Sequence, residues 1–169
     1  MHQVKNTTEL QTCANLKLRQ LTRVVTRHYD RYAGEKGLKS TQYTLLSHVI
    51  VLGPIRPCDL AKQMHMDAST LTRNMQSLVA HGWLKIGAGI DGRSRLVEAT
   101  SAGRFRGAEG QCACREAERA LNERLGAERF AALHDLLDAC IECLDDEFKV
   151  AADDAAESTG KGGSSLLLG

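Results

Sequence analysis

The stretch from Asp59 to Arg73 constrains the fold of this chain more than any other. It reads DLAKQMHMDASTLTR and is followed by an apolar stretch that Gly82 ends. Pro57 suits the first turn of a helix, because a first-turn residue needs no intrahelical N–H partner, and Asp67 can cap a second helix. The spacing therefore predicts two short helices, Pro57 to about Met64 and Ala68 to His81, joined by a tight turn. Their shared core comprises Leu60, Ala61, Met64, Leu71, Met75 and Leu78.

A helix pair of this length is typical of a helix-turn-helix. If the apolar residues face one way, short or planar polar side chains remain around the front of the second helix. Side chains of that kind can read base edges in a DNA groove or reach phosphates. The candidates for DNA contact are Ser69, Thr70, Thr72, Arg73, Asn74 and Gln76.

Beyond Gly82 the pattern changes from helical spacing to two short extended segments. Trp83 to Ala88 and Arg93 to Ala99 flank a glycine-rich stretch, which predicts a β-hairpin with an exposed tip. Such a hairpin beside a helix-turn-helix is a wing. Its tip and second strand supply three further candidates for DNA contact, which are Asp91, Arg93 and Arg95.

Longer helical patterns flank this central part. One is expected to begin near Asn6 and to run as far as Gly34 or Gly37, and Ser40 is expected to cap a run from Thr41 to Leu52. A further helix is expected from Thr100 or Ser101 to about Leu125. The apolar stripe over Ala127 to Val150 that follows is expected to pack against a partner surface. Residues 151–169 are acidic and then Gly- and Ser-rich, which predicts disorder. The predicted fold class is mainly α with a small β-hairpin wing (α+β).

The net charge of +1 conceals a strong division of charge along the chain. Residues 1–106 carry 16 Lys plus Arg against 7 Asp plus Glu, whereas residues 107–169 carry 6 against 14. A basic segment attracts the phosphate backbone of nucleic acid, both by Coulomb attraction and by release of condensed counterions. The first part of the chain is therefore the part expected to meet DNA, and the acidic part is expected to face away from it.

These motifs, in this order, resemble the MarR family of winged helix-turn-helix transcriptional regulators. The resemblance covers roughly Cys13 to Leu144, and a chain of motifs is more specific than any single one. It implies a MarR-type domain over residues 1–150, with a winged helix-turn-helix at 40–99 and dimerisation helices at 7–37 and 101–150. The motifs are Leu18-Arg19, Val25-Thr26-Arg27-His28-Tyr29, Thr41-Gln42-Tyr43, Asp59-Leu60-Ala61, Ser69-Thr70-Leu71-Thr72-Arg73 and Asp91-Gly92-Arg93-Ser94-Arg95-Leu96.

The resemblance also implies how such a protein works. It implies a homodimer whose two winged domains straddle a pseudo-palindromic operator in double-stranded DNA. In that family the wing arginine enters the minor groove and the preceding Asp orients it, which places these roles on Arg93 and Asp91. Arg95 would support them or contact phosphate. Arginine suits a narrow minor groove, which concentrates negative potential.

Members of the family are commonly released from DNA by small molecules, often aromatic or phenolic acids. The resemblance therefore implies a repressor with a small-molecule effector, such as an aromatic carboxylic acid or a phenolic compound, and no cofactor. A binding site for an aromatic carboxylate requires a cation and hydrogen-bond donors within an otherwise apolar wall. The candidates are Cys13, Lys17, Arg19, Tyr43 and His48. Each also has a structural explanation, such as a surface ion pair for Arg19 or a core aromatic for Tyr43.

The six cysteines leave two other kinds of sensor open. A thiol-based redox-sensing repressor that uses Cys13 is one alternative, because one branch of the family detects peroxides through a thiolate near the start of the first helix. The reactive position of that branch aligns with Asn15 here, and the tyrosine that meets it aligns with Ser40. Metal sensing is not expected: Cys112 and Cys114 are two apart and point to different sides of a helix, while Cys140 and Cys143 lie in the apolar stripe of the last helix. Reduced thiols are expected throughout.

Other classes of protein fit the sequence less well. It contains no phosphate-binding loop, no nucleophile elbow and no spacing of His or carboxylates that demands catalysis, so an enzyme is not expected. It has no long apolar run and no apolar N-terminal signal, which predicts a cytoplasmic protein with no membrane contact. A winged domain used only for protein contacts remains the alternative, since the same fold can bind either DNA or protein.

Overall fold

The computed structural model describes residues 12–34, 37–89 and 94–160, with side chains as far as residue 144. The chain divides into two compact units, Met1–Ala120 and Leu121–Gly169. The helices are α1 (Ala14–Gly34), α2 (Ser40–Leu52), α3 (Pro57–Gln63), α4 (Ala68–Ala80), α5 (Ser101–Leu125) and α6 (Ala127–Gly160), and the strands are β1 (Leu84–Ala88) and β2 (Arg95–Ala99). The predicted class, mainly α with a small hairpin, is confirmed.

The core of the first unit forms around the predicted helix-turn-helix. Five of the six predicted core residues are buried, and Met64 is half-buried against them. Burial of several complete leucine side chains supplies the driving force that holds α3 against α4, at roughly 2 kcal/mol for each. The residues of this core are Leu38, Leu45, Leu46, Val49, Leu60, Ala61, Leu71, Met75, Leu78, Trp83, Leu84, Val97 and Ala99.

The start of α2 differs from the prediction by one residue. Ser40 is its first helical residue and Lys39 stands at the N-cap. The side-chain oxygen of Gln42 accepts a hydrogen bond from the Lys39 N–H, at 3.0 Å, and the Asp30 carboxylate accepts one from the Ser40 N–H, at 2.7 Å. A carboxylate from α1 thus satisfies an N–H that no intrahelical carbonyl can reach. The Ser40 hydroxyl is not needed as a cap, which is why the helix begins on it.

The wing is a two-stranded antiparallel hairpin. Leu84 pairs with Ala99 and Ala88 pairs with Arg95, so β1 and β2 match in length. Val97 is fully buried and joins the hairpin to the helical core, because its backbone exchanges hydrogen bonds with Ile55 at 2.9 and 3.1 Å. This bridge lies in the segment between α2 and α3 and orients the hairpin beside the helix-turn-helix.

The first part of α5 packs through small residues at steps of three and four. They are buried because other elements approach the helix backbone closely, a feature that the sequence analysis missed. The Thr100 hydroxyl caps this helix: it accepts a hydrogen bond from the Gly103 N–H at 3.0 Å and donates one to the Gly82 carbonyl at 2.7 Å. The buried small residues are Gly103, Gly107, Gly110, Ala113 and Ala117.

The second half of α1 packs against the middle of α5. His28 is buried and its Nε2 lies 2.8 Å from the carbonyl oxygen of Ala117. The Tyr29 hydroxyl donates a hydrogen bond to the Glu118 carboxylate. Burial and this bond to Glu118 raise the pKa of Tyr29, so the phenol stays neutral and remains a donor.

The second unit contains the end of α5 and all of α6. Residues 151–160 were predicted to be disordered, but α6 continues through them to Gly160. The physical reason is composition, since the run Ala151-Ala152-Asp153-Asp154-Ala155-Ala156 is rich in alanine, the strongest helix former. Residues 161–169, like the predicted start of the first helix at Asn6, lie outside the described residues. In the described part of the chain, every helix is too short or too polar to cross a bilayer.

Candidate nucleic-acid interface

Helix α4 has one buried side and one exposed side. Leu71, Met75 and Leu78 point into the core. Ser69, Thr72, Arg73 and Gln76 are exposed on the opposite side, which we call the exposed face of α4. Thr70 and Asn74 are half-buried and lie at the margin of that face. The predicted set of six polar residues is therefore gathered on one helix, with four members fully accessible.

Two further contacts hold α4 in place. The Gln42 amide of α2 donates to the Ser77 hydroxyl at 3.0 Å, which ties α4 to the core helix behind it. Just after α4, His81 stacks on Trp83 with ring centroids 4.6 Å apart, and the Arg106 guanidinium lies 5.6 Å from the Trp83 ring. Trp83 is buried, so this stack joins the end of α4, the start of the wing and α5. The exposed face of α4 is thus carried by a rigid frame.

The N-terminal end of α4 carries a network of hydroxyl groups. Asp67 stands at the N-cap as predicted, and its carboxylate binds two hydroxyl groups of the first turn. It accepts hydrogen bonds from Ser69, at 3.0 Å, and from Thr70, at 2.8 Å. These two bonds, that from Thr70 first, lower the pKa of Asp67 below its ordinary value of 3.8. The sequence signal was present, because Ser and Thr follow two and three positions after a capping Asp.

The structure describes one of the three predicted wing residues. Arg95 is exposed at the start of β2. Asp91 and Arg93 lie outside the described residues. On the same hairpin, Lys85 makes an ion pair with Glu98 across the strands at 3.1 Å, so its charge is partly compensated. Arg73 and Arg95 are therefore the two predicted DNA-contacting arginines whose positions the structure describes.

The five predicted effector residues lie on two helices or at their ends. Cys13, Lys17 and Arg19 are exposed around the start of α1. Tyr43 lies on α2 and packs against Gly110 of α5, and burial raises its pKa, with the Cys114 thiol adding to the effect. His48 is also on α2, where its Nδ1 lies 2.7 Å from the Thr44 carbonyl oxygen. Three of the five thus lie near the start of α1 and two on α2.

The cysteines are free thiols wherever the structure shows them. Cys140 and Cys143 are exposed on α6, and burial raises the pKa of the half-buried Cys114 thiol. Among the described residues, no three His, Cys, Asp or Glu side chains lie close enough to hold a metal ion.

Comparison with protein families gives one match to the helix-turn-helix region. A model described as the MarR family matches residues 36–94. YwoH of Bacillus subtilis, an uncharacterized HTH-type transcriptional regulator, is 26% identical over 84 residues, which is 50% of this chain and 61% of that protein. The chain therefore matches less than two thirds of that relative's length.

Solved structures extend the likeness beyond the family match. A probable transcriptional regulator from Pseudomonas aeruginosa is 29% identical, with a TM-score of 0.71 over 78% of this chain and 99% of that one. A mutant MarR from E. coli complexed with operator DNA shares the fold; it is 21% identical, with a TM-score of 0.70 over 83% of this chain and 99% of that one. PcaV from Streptomyces coelicolor in complex with its natural ligand also shares it; it is 19% identical, with a TM-score of 0.70 over 79% of this chain and 94% of that one. The matching family model and the similar proteins are those of transcriptional regulators. Residues 36–94 of this chain match the MarR family, and the chain shares with these solved structures a winged helix-turn-helix between long helices.

Proposed function

We propose that this protein binds double-stranded DNA as a homodimer and represses transcription from a pseudo-palindromic operator. The exposed face of α4 carries the proposal. It presents Ser69, Thr72, Arg73 and Gln76 on a helix whose other side is buried, so these side chains are free to meet a ligand. Short polar side chains and a guanidinium on one helix face suit base edges and phosphates in a major groove.

The wing supplies the second contact in this proposal. Arg93 enters the minor groove, Asp91 orients it and Arg95 reaches the backbone beside it. The exposed position of Arg95 at the start of β2 supports that arrangement, because the strand leads directly from the hairpin tip. The excess of basic residues before residue 107 supplies the Coulomb attraction.

Apolar surface on the long helices supports a homodimer. Leu18 and Val24 on α1 are 50% and 55% exposed, and Leu136 and Leu144 on α6 are 63% and 55% exposed. Exposed apolar side chains in this number mark a surface that another protein covers. A second copy of the chain is the occupant that the family likeness favours. Twofold symmetry then places two α4 helices in successive major grooves, about 34 Å apart.

The effector proposed is a small aromatic carboxylic acid or a phenolic compound. Lys17 and Arg19 supply cations, and Tyr43 and His48 supply polar groups on a partly apolar helix. These residues lie on two different helices, and the proposed site is completed in the assembled dimer. Effector binding would favour a dimer whose two α4 helices no longer match successive grooves, and so release the DNA. The solved complex of PcaV with its natural ligand supports a ligand-responsive member of this fold.

A mobility-shift titration tests the proposal. The purified protein is titrated against the DNA that flanks its own gene, with and without a panel of aromatic carboxylic acids and phenols. We expect a retarded complex that at least one compound releases. Arg73→Ala should weaken binding about tenfold or more, and Arg129→Ala on α6 is the control for the loss of one positive charge. Retardation that no compound releases contradicts the effector class, and no retardation on any duplex contradicts DNA binding and favours a protein-binding module.

A further inference from the structure

Three hydroxyl groups at the start of α4 have their hydrogens already committed. The Ser69 and Thr70 hydroxyls donate to the two carboxylate oxygens of Asp67, at 3.0 and 2.8 Å. The Thr72 hydroxyl donates to the backbone carbonyl of Ala68, at 2.7 Å. A hydroxyl group has one hydrogen and two lone pairs. Each of these side chains therefore has lone pairs, and no hydrogen, left for another partner.

The direction of these bonds follows from the chemistry of the acceptors. A backbone carbonyl has no hydrogen to give, so Thr72 must be the donor. The Asp67 carboxyl is ionised at neutral pH, because the hydroxyl bonds keep its pKa low, and an ionised carboxylate can only accept. Ser69 and Thr70 must therefore both be donors to Asp67. The polarity of the hydroxyls is fixed before any DNA arrives.

We propose that Asp67 is a specificity-determining residue, which makes the N-terminal part of the exposed face of α4 a hydrogen-bond acceptor for the amino groups of adenine or cytosine. In the major groove adenine presents its N6 amino group and cytosine its N4 amino group, whereas guanine O6 and thymine O4 are acceptors. A hydroxyl oxygen that can only accept pairs with the amino groups of the first two bases and repels the acceptor oxygens of the last two. This inference rests on the proposed function.

The next residue along the same face has the opposite polarity. Arg73 is exposed and its guanidinium can only donate, so it suits guanine O6 and N7 or a phosphate. The half-site is therefore expected to have two parts. Bases with amino groups lie against Ser69 and Thr72, and a guanine or a backbone phosphate lies against Arg73.

Asp67 is a positioning residue, because it acts on the bases through the two hydroxyls. Its charge also has a direct effect on DNA affinity. Its carboxylate is exposed at the face that meets a polyanion, so it repels phosphates. Removing the charge should therefore raise affinity for unrelated DNA while it lowers discrimination between bases. A residue that only started the helix would lower both together, so the split between affinity and selectivity separates the two roles.

Selection from a pool of random duplexes measures the base preference directly. For the full-length wild-type protein we expect a half-site with adenine or cytosine preferred about tenfold over guanine and thymine at one or two adjacent positions. Asp67→Ala leaves the Ser69 and Thr70 hydroxyls free to donate and should reduce the preference opposite Ser69 to about twofold, whereas the preference opposite Thr72 should remain, because that hydroxyl donates to the Ala68 carbonyl. Asp67→Asn keeps one acceptor oxygen and adds a donor, and should give an intermediate preference.

A base analogue provides the complementary test. Purine in place of the preferred adenine removes only the N6 amino group, and it should weaken wild-type binding about tenfold but Asp67→Ala binding less than twofold. Thr72→Ser keeps the hydroxyl and is the matched control for Thr72→Val. If Asp67→Ala does not fold, the double variant Ser69→Ala with Thr70→Val removes the same acceptors and should lose the preference with Asp67 intact.

The outcomes separate this inference from the function on which it rests. A wild-type protein that binds no duplex overturns both. A protein that binds its operator but keeps the same base preference and the same sensitivity to purine after Asp67→Ala overturns the role of Asp67 alone. A preference of the wild type for guanine or thymine opposite Ser69 and Thr72 overturns it as well.

Discussion

The packing of α5 predicts that alanine destabilises the protein at Gly103 but not at Gly107, and Gly87 on β1 is the control. A Cβ on Gly103 would overlap the carbonyl oxygen of Trp83 and lie 2.9 Å from its carbonyl carbon and 3.2 Å from its Cα. A Cβ on Gly107 would overlap only the Cδ1 methyl of Ile50, the far end of a flexible side chain. A Cβ on Gly87 in β1 would meet nothing within 4 Å. Backbone cannot move aside as a side-chain methyl can, so the contact at Gly103 is the costly one.

The expected magnitudes follow from these contacts. Overpacking a well-packed site costs about 1–3 kcal/mol, and a clash with backbone belongs at the upper end, so Gly103→Ala should destabilise by about 3 kcal/mol. Gly107→Ala gains about 1 kcal/mol of helix propensity, which offsets the cost of moving Ile50, and should be close to neutral. Gly87→Ala should lie within about 0.5 kcal/mol of the wild type.

Thermal unfolding of the three variants at one protein concentration measures the difference. At about 2–4 °C per kcal/mol for a chain of this size, Gly103→Ala should lower Tm by about 6–12 °C, and the other two variants by no more than about 2 °C. Concentration must be held fixed because a dimer's Tm depends on it. Equal Tm values for Gly103→Ala and Gly107→Ala would refute the reasoning that backbone contact with Trp83 sets the distance between α5 and the start of the wing.

Two further predictions concern the polar contacts. Thr100→Val removes the cap of α5 and leaves the Gly82 carbonyl without its donor, so it should lower the free energy of unfolding in denaturant by about 1–2 kcal/mol. Thr100→Ser keeps the hydroxyl and should cost less than half as much. Equal losses of stability in the two variants would contradict the cap. The depressed pKa of Asp67 means that its contribution to stability is present above the unfolded value and lost as pH falls through the lower folded value, so its carboxyl should titrate below 3.8 in an NMR pH series. Ser69→Ala with Thr70→Val should raise that midpoint, and an unchanged midpoint would show that the hydroxyls do not hold the carboxylate.

The helix-turn-helix could be predicted because its signals are local. Pro57 at a first turn, Asp67 at a cap and Gly82 after the last turn mark the helix ends within a residue or two, and the structure places α3 and α4 there. The spacing of the apolar residues predicted which side of α4 is buried, because this signal is also local. The alternating pattern and the glycines gave β1 and β2, although the residues at the hairpin tip lie outside the described part.

Contacts between distant segments could not be predicted in the same way. Nothing near His28 in the sequence indicates that the Ala117 carbonyl lies beside it, 89 residues away. The small residues of α5 did carry a signal, since Gly103, Gly107 and Gly110 recur at helical spacing, but only the positions of Trp83, Ile50 and Tyr43 show why no side chain fits there. The proposed effector residues were chosen by residue type, and type does not determine which helix faces meet.

We expect the exposed face of α4 to bind duplex DNA in a complex of two chains. Fluorescence anisotropy on a labelled duplex of about 30 base pairs from the protein's own upstream region tests it most directly, with the mass of the complex measured in parallel. We predict two chains per duplex, an affinity that falls steeply as salt rises, and a loss of about tenfold or more for Arg73→Ala with the dimer intact. Binding that is insensitive to salt and to Arg73→Ala, or no binding at all, would contradict the account.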